Sequence, residues 1–274
     1  MAKVLIVGKN SFIGKSLSKV KDGNIFKKIS YKNLYNVDLK NYDVVVNCSL
    51  HPSFKTSSYH LGIDVDYDVA HKSYLSGCHY IMLSTRKIYG SSTALKTYNE
   101  ESEENPYDHY SENKLKSEKK ILSQFGDRST IIRGSNLFGY ELGRNSMMGW
   151  FLNQLDKDGI IRYNVLSTTS KDIIHVDDAS KIISKVCSQQ PLGLYNLGTS
   201  YPYSMLGIGI HLLDGFNHGI LENRMKFDGE IYGEQFILDT KKICSTLNIE
   251  TPSVHNYPKL ISDIGAKLSE RSSN

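Results

Sequence analysis

Tyr110 and Lys114, in Y-S-E-N-K, stand four positions apart. On a helix that spacing puts them on one face, one turn from each other. A free tyrosine hydroxyl ionises near a pKa of about 10, too high for ready proton exchange at neutral pH. An ammonium one turn away favours the phenolate, and the pair then becomes a general acid/base. Upstream, S-T-R-K-I-Y-G (residues 84–90) closes an apolar strand over 80–84 and offers Thr85 as a third hydroxyl. Tyr-x-x-x-Lys also arises by chance on solvated helices, so its weight depends on the rest of the chain.

The elements that would position such a site begin at the N-terminus. Residues 2–7, A-K-V-L-I-V, form a short apolar run ended by glycine, the pattern of a buried parallel strand. Gly8, Ser11 and Gly14 then take the places of G-x-x-G-x-x-G, with Asn10, Phe12 and Ile13 between them. The first glycine allows a tight turn, the middle position brings backbone close to a pyrophosphate, and the last lets the next helix pack on the strand. The helix N-terminus adds partial positive charge. An ordinary strand–helix turn is the alternative.

Further strings follow in order: D-V-V-V-N-C-S-L (43–50), E-E and P at 100, 101 and 106 ahead of K-L-K-S-E (114–118), I-I-R-G-S-N-L-F-G (131–139), K-D-I-I-H-V-D-D-A (171–179), L-Y-N-L-G and F-I-L-D-T-K-K. Together they resemble the extended short-chain dehydrogenase/reductase family, the NAD(P)-dependent nucleotide-sugar epimerases, dehydratases and 4-ketoreductases. Within it the chain is most similar to reductases of the dTDP-4-dehydrorhamnose type. The resemblance spans nearly the whole chain. It implies Thr85, Tyr110 and Lys114 as catalytic residues. It implies a cofactor site from Gly8 to Gly14, continued by Cys48, Ser49 and Leu50, with Asp38 and Leu39 beside the adenine. It places Asn136 and Lys171 near the substrate's nucleotide. Arg86, next to Thr85, is a candidate substrate contact; a salt bridge to a neighbouring acid is its alternative, and for Lys171 a surface role. A homodimer built on helices 64–76 and 107–124 is also implied.

Departures sharpen the expectation. Ser11 replaces the middle glycine, and Asp64 stands where the family has Asn. Arg86 and Lys87 hold the places of the Asp-Glu pair that eliminates water in the 4,6-dehydratases, so dehydration is disfavoured. The second strand, I-F-K-K-I-S-Y-K, ends without the acid that holds a ribose 2′-hydroxyl in NAD binders. Ser30 and Lys32 suit a 2′-phosphate instead, and NADP(H) is expected over NAD(H); a solvated lysine is the alternative.

Strands expected at 3–7, 25–30, 44–48, 80–84 and 130–133 alternate with helices at 12–20, 64–76, 107–124 and 177–188, which implies an α/β fold with a doubly wound parallel sheet. Regularity falls after Gly139. We expect a Rossmann domain over 1–139 plus about 159–198, a small substrate lobe over about 140–158 plus 199–274, and a free tail over 269–274. The chain has 274 residues and a net charge of +4, too mild to indicate nucleic acid. Cys48, Cys78, Cys187 and Cys244 lack C-x-x-C spacing and read as reduced thiols of a cytoplasmic protein. No histidine has metal-ligand spacing, and His51 near the cofactor edge reads as a packing residue. No stretch suits a signal peptide or a membrane span. The expected activity is reduction of a 4-keto nucleotide sugar with Tyr110 as proton donor. The alternatives are an epimerase that retains NAD and a cofactor-sensing protein without catalysis.

Overall fold

The computed structural model describes residues 1–224 and 233–272. Its elements run β1 (Lys3–Val7), α1 (Phe12–Leu17), β2 (Ile25–Ile29), β3 (Val44–Asn47), α2 (Val65–Leu75), β4 (His79–Thr85), β5 (Thr97–Tyr98), α3 (His109–Phe125), β6 (Ser129–Gly134), β7 (Asn136–Phe138), α4 (Met147–Asp158), β8 (Ile160–Tyr163), β9 (Ser170–His175), α5 (Val176–Gln189), β10 (Gly193–Leu197), β11 (Pro202–Ser204), α6 (Met205–Phe216), β12 (Ile220–Asn223), β13 (Ile237–Leu238), α7 (Lys241–Leu247) and α8 (Tyr257–Ser272).

Six strands form one parallel sheet in the order β10-β6-β4-β3-β1-β2. The inner strands β1 and β3 read as unbroken apolar runs because helices cover both faces. On one face, Ile6, Leu17, Val46, Ile183 and Leu247 share a core. On the other, Leu5, Val45, Val69, Met82 and Ile121 share a second. The chain steps outward from β1 to β2 and then returns to the other side of β1 with β3. That reversal opens a crevice at the carboxyl ends of β1 and β3, where ligands bind in sheets of this class. The fold is the expected Rossmann-type α/β architecture.

Beyond β6 a further core gathers Phe138, Phe151, Ile161, Ile208 and Ile261. β8 pairs with β12, and Ile161 packs in this core with Tyr163 against it. This region is also more helical than expected. Ser146 caps α4 by accepting from Gly149 N, Met148, Phe151, Leu152 and Leu155 form a buried stripe, and Gly159 ends the helix at φ +67°. Helices α6 and α8 cross so closely that a Cβ at Gly215 would lie 1.7 Å from Ser262 O. The tail expected to be free is helical to Ser272.

Asp172 ties the two regions. It is fully buried on β9 and accepts from Thr199 N (2.9 Å), Thr199 Oγ1 (3.0 Å), Ser200 N (3.0 Å) and Leu238 N (3.1 Å). Burial pushes its carboxyl up to about 6 even though these four donors favour the anion. An Asn at this position must turn its NH₂ toward N–H donors whichever way it points. Asp172→Asn is therefore expected to cost about 2–4 kcal/mol of stability. Urea unfolding checks this, and a change below about 0.5 kcal/mol, the scale of a neutral surface exchange, would show that the knot carries no such weight.

Candidate active site

Helix α3 starts on a capping box. Asp108 accepts from Ser111 N at 2.8 Å, and Ser111 Oγ reaches back to Asp108 N. This fixes the first turn, which carries Tyr110, and the second, which carries Lys114. Thr85 ends β4 and caps the short 3₁₀ turn Arg86–Tyr89, accepting from Lys87 N at 3.3 Å. Thr85 and Tyr110 both line a cleft of 580 Å³, together with Lys55, Lys87, Ser135 and Asn136. The Tyr110 ring meets Phe54 edge-on at 6.4 Å between centroids, and the Lys55 ammonium lies 5.5 Å from the Tyr110 ring centre. Asn113 holds the Phe54 segment in place through Phe54 O (2.9 Å) and Ser57 O (2.8 Å).

Lys114 is buried behind the cleft. Its Nζ donates to Asp66 Oδ2 at 2.6 Å and to Leu83 O at 2.8 Å. Burial disfavours its charged form, but Asp66, with a smaller contribution from Tyr110, outweighs burial and holds the ammonium above the ordinary lysine range. Asp66 lies on α2, and sequence reasoning missed it. The string G-I-D-V-D-Y drew attention to Asp64 instead, which caps α2 by accepting from Tyr67 N. An acid in the first turn of a helix normally reads as a solvated dipole partner; only the fold shows that Asp66 points inward.

The glycine turn behaves as expected for close backbone approach. Gly8 has φ +110°, and a Cβ there would lie 2.8 Å from Cys48 C and from Ser49 Oγ. Residues 8–14 and 48–49 therefore meet at the crevice, and Leu50 continues the second stretch. Ser11, the substituted middle position, caps α1 by accepting from Gly14 N at 3.0 Å. Asn10, Ser11 and Phe12 border an adjacent depression of 630 Å³ with Lys15 and Arg144, and Ile13 lines the cleft itself. Gly8 N and Lys9 N donate to Ile29 O, which brings the end of β2 alongside. Lys32 there is exposed, with no ion-pair partner among the described residues. Ser135 Oγ is buried beside the cleft and has no hydrogen-bond partner among the described residues. The permissive turn and the orphaned hydroxyl fit a bound dinucleotide.

Other candidates are placed differently. Leu39 is 1% exposed and packs in the core with Leu5 and Leu34, so its side chain is not available to an adenine. Asp38 is exposed and accepts from Lys40 N. Arg86, expected to face substrate, is buried, pairs with Glu234 and stacks on Phe236 at 4.2 Å. Lys171 does not line the cleft; its Nζ lies 3.8 Å from Glu234 Oε2, and burial lowers its pKa. Glu234, 148 residues from Arg86 in sequence, is the acid that draws both cations away. Lys87 faces the cleft but donates to Asp108 Oδ2 at 2.7 Å. Burial opposes ionisation of Asp108, yet hydrogen bonds from Lys87 and Ser111 hold its carboxyl below the usual range. His51 accepts from Ser53 N at 3.2 Å, a local cap. Among the described residues no group of three or more His, Cys, Asp or Glu could hold a metal, and no helix is long and apolar enough to cross a membrane.

A model of the NAD-dependent epimerase/dehydratase family matches residues 4–198. No curated protein sequence matches the chain. Solved structures share the fold at low identity. A UDP-N-acetylglucosamine 4-epimerase from Methanobrevibacter ruminantium, in complex with UDP-N-acetylmuramic acid, superposes with a TM-score of 0.78 at 16% identity, covering 98% of this chain and 99% of its own. The RMD protein of Pseudomonas aeruginosa, complexed with NADPH, gives 0.79 at 15% identity over 98% and 99%. A dTDP-4-dehydrorhamnose reductase from Clostridium acetobutylicum gives 0.72 at 13% identity over 99% and 100%.

Tyr110→Phe keeps the ring on Phe54 and deletes only the hydroxyl. Turnover is expected to fall by about 10²–10⁴ with the thermal midpoint unchanged. Thr85→Val should act on the same step, and Thr85→Ser should be mild. Steady-state kinetics and thermal melts check this; unchanged turnover in Tyr110→Phe would remove the acid/base assignment.

Proposed function

The chain belongs to the NAD-dependent epimerase/dehydratase family, and from that premise we propose that it is an NAD(P)-dependent oxidoreductase of a nucleotide-activated sugar that reduces a 4-keto group. The observation that carries the reading is the shared cleft wall: Thr85 and Tyr110 face one cavity, with Lys114 one helical turn behind.

The dinucleotide would be held by the turn from Gly8 to Gly14, by residues 48–50 and by Lys114, and when bound it supplies the hydride. Tyr110 donates the proton to the carbonyl oxygen as that oxygen gains charge. Thr85 donates a hydrogen bond to the same oxygen and orients it. Lys114 holds the cofactor's ribose with the N–H that Asp66 and Leu83 leave free. Asn136, which lines the same cleft, contacts the substrate's diphosphate. NADPH is preferred over NADH, because β2 ends without an acid and Lys32 has no partner among the described residues. Water elimination is outside this reading: Arg86 is locked on Glu234, and Lys87 presents a cation to the cleft. A homodimer through α2 and α3 belongs to the reading; their surface carries the exposed Tyr74 and Leu75.

The purified protein is to be incubated with a panel of nucleotide sugars and their 4-keto derivatives, with NADPH, with NADH and with neither. Net NADPH consumption on a 4-keto sugar, faster than with NADH, is expected. Lys32→Asp should then shift the preference toward NADH. Isomer formation without added cofactor would replace the reductase with an epimerase, and the absence of either reaction, with cofactor still bound, would leave a sensor.

A further inference from the structure

Lys114 carries a charge that is not free. Asp66 Oδ2 stands 2.6 Å from its Nζ, and the two residues are 1% and 4% exposed. The other carboxylate oxygen accepts from Asn47 Nδ2 at 2.7 Å and from Tyr80 Oη at 3.0 Å. Donors from β3, β4 and α3 thus pin the carboxylate, and it cannot swing away. The remaining buried acid nearby, Asp64, is occupied by Tyr59, Tyr67 and Ser117. Lys55 lies 5.5 Å from the Tyr110 ring centre. The site therefore holds a neutral ion pair where a lone ammonium would suffice to grip a ribose.

We propose that Asp66 is a positioning residue that acts through electrostatics. It aims Lys114 and cancels its charge, so that the oxidised and reduced forms of a nicotinamide cofactor are held with comparable affinity. This rests on the cofactor reading given above. The oxidised nicotinamide ring is cationic and the reduced ring is neutral. Charges in a buried site are weakly screened, so an uncancelled ammonium repels the oxidised form and leaves the reduced form untouched. Without Asp66 the site would discriminate against the oxidised cofactor.

The test titrates the whole protein with NADP⁺, NADPH, NAD⁺ and NADH by calorimetry, as wild type and as Asp66→Asn. Asn removes the charge and, with its carbonyl oxygen on Lys114, keeps an acceptor there; its NH₂ then faces Asn47 and Tyr80, so a loss of stability is expected beside the electrostatic effect. Asp66→Ser is carried in parallel in case Asn does not fold, and near-UV circular dichroism verifies the fold of each. In whichever cofactor pair the wild type binds, the ratio of Kd for the oxidised form to Kd for the reduced form is expected to rise by about three- to thirtyfold. Structural slackening would weaken both forms alike and leave the ratio where it was. A ratio within about twofold of wild type, well under that electrostatic effect, in a folded variant overturns the proposal alone. A wild type that binds no nicotinamide dinucleotide overturns both the proposal and the cofactor reading.

Discussion

The buried ammonium of Lys114 is the constraint around which the half of the molecule that carries Thr85 and Tyr110 is arranged. Removing one ion from water costs on the order of several kcal/mol even after relaxation. The fold tolerates it because Asp66 and Leu83 O both reach Nζ, and because Asp66 is itself satisfied by Asn47 and Tyr80. The partners come from four elements: β3 supplies Asn47, β4 supplies Tyr80 and Leu83, α2 supplies Asp66, and α3 supplies Lys114. These four elements cannot shift independently without uncovering a charge. Tyr110, one turn up the same helix, inherits that fixed position.

A second buried network sets the other wall. Arg133 on β6, 1% exposed, donates from Nη2 to Glu118 Oε2 at 2.6 Å and to Glu104 Oε1 at 2.7 Å. Its guanidinium lies 4.8 Å from the Tyr89 ring centre, and Tyr89 in turn stacks on Tyr98 and donates to Asn196 Oδ1. This holds the 3₁₀ turn that follows Thr85 and so aims the Thr85 hydroxyl. Lys87, in the same turn, reaches the helix cap Asp108. The two hydroxyls proposed to share one oxygen are therefore anchored by separate ion-pair networks that meet on α3, since Glu118 and Lys114 are four residues apart on that helix.

The parts of this arrangement that were legible in sequence are those with a local physical signature. β1 spans residues 3–7, the strand expected within the apolar run 2–7, because both its faces are covered. The φ of +110° at Gly8 follows from the turn that glycine was expected to make. α3 was legible through its spacing, though its start moved to His109 once Asp108 took the cap. What stayed hidden depends on residues far apart in the chain. Arg86 reads as a cleft residue because Thr85 is its neighbour, yet the chain brings Glu234 to it across 148 positions. Leu39 reads as an adenine contact by position, and its side chain packs in the core with Leu5 and Leu34. Helix α4 did carry its signals, a Ser146 cap, an apolar stripe and a glycine stop, and they were obscured by the short runs that flank it.

Pairing also decides which cations remain available at the mouth of the cleft. Lys87 is tied to Asp108, Arg144 to Glu141 at 2.8 Å, Lys114 to Asp66, and Arg86 and Lys171 to Glu234. Lys55 lines the same cavity, 5.5 Å from the Tyr110 ring centre, with no carboxylate partner among the described residues. A formal count of positive side chains around the cleft therefore overstates its attraction for anions. An anionic group entering between Thr85 and Tyr110 meets the Lys55 charge uncompensated, whereas Lys87, Arg144 and Lys114 each face a carboxylate of their own and Arg86 and Lys171 share one. The charge that shapes this site lies in which lysine was left without an acid, and that follows from the folded pairing of residues distant in sequence.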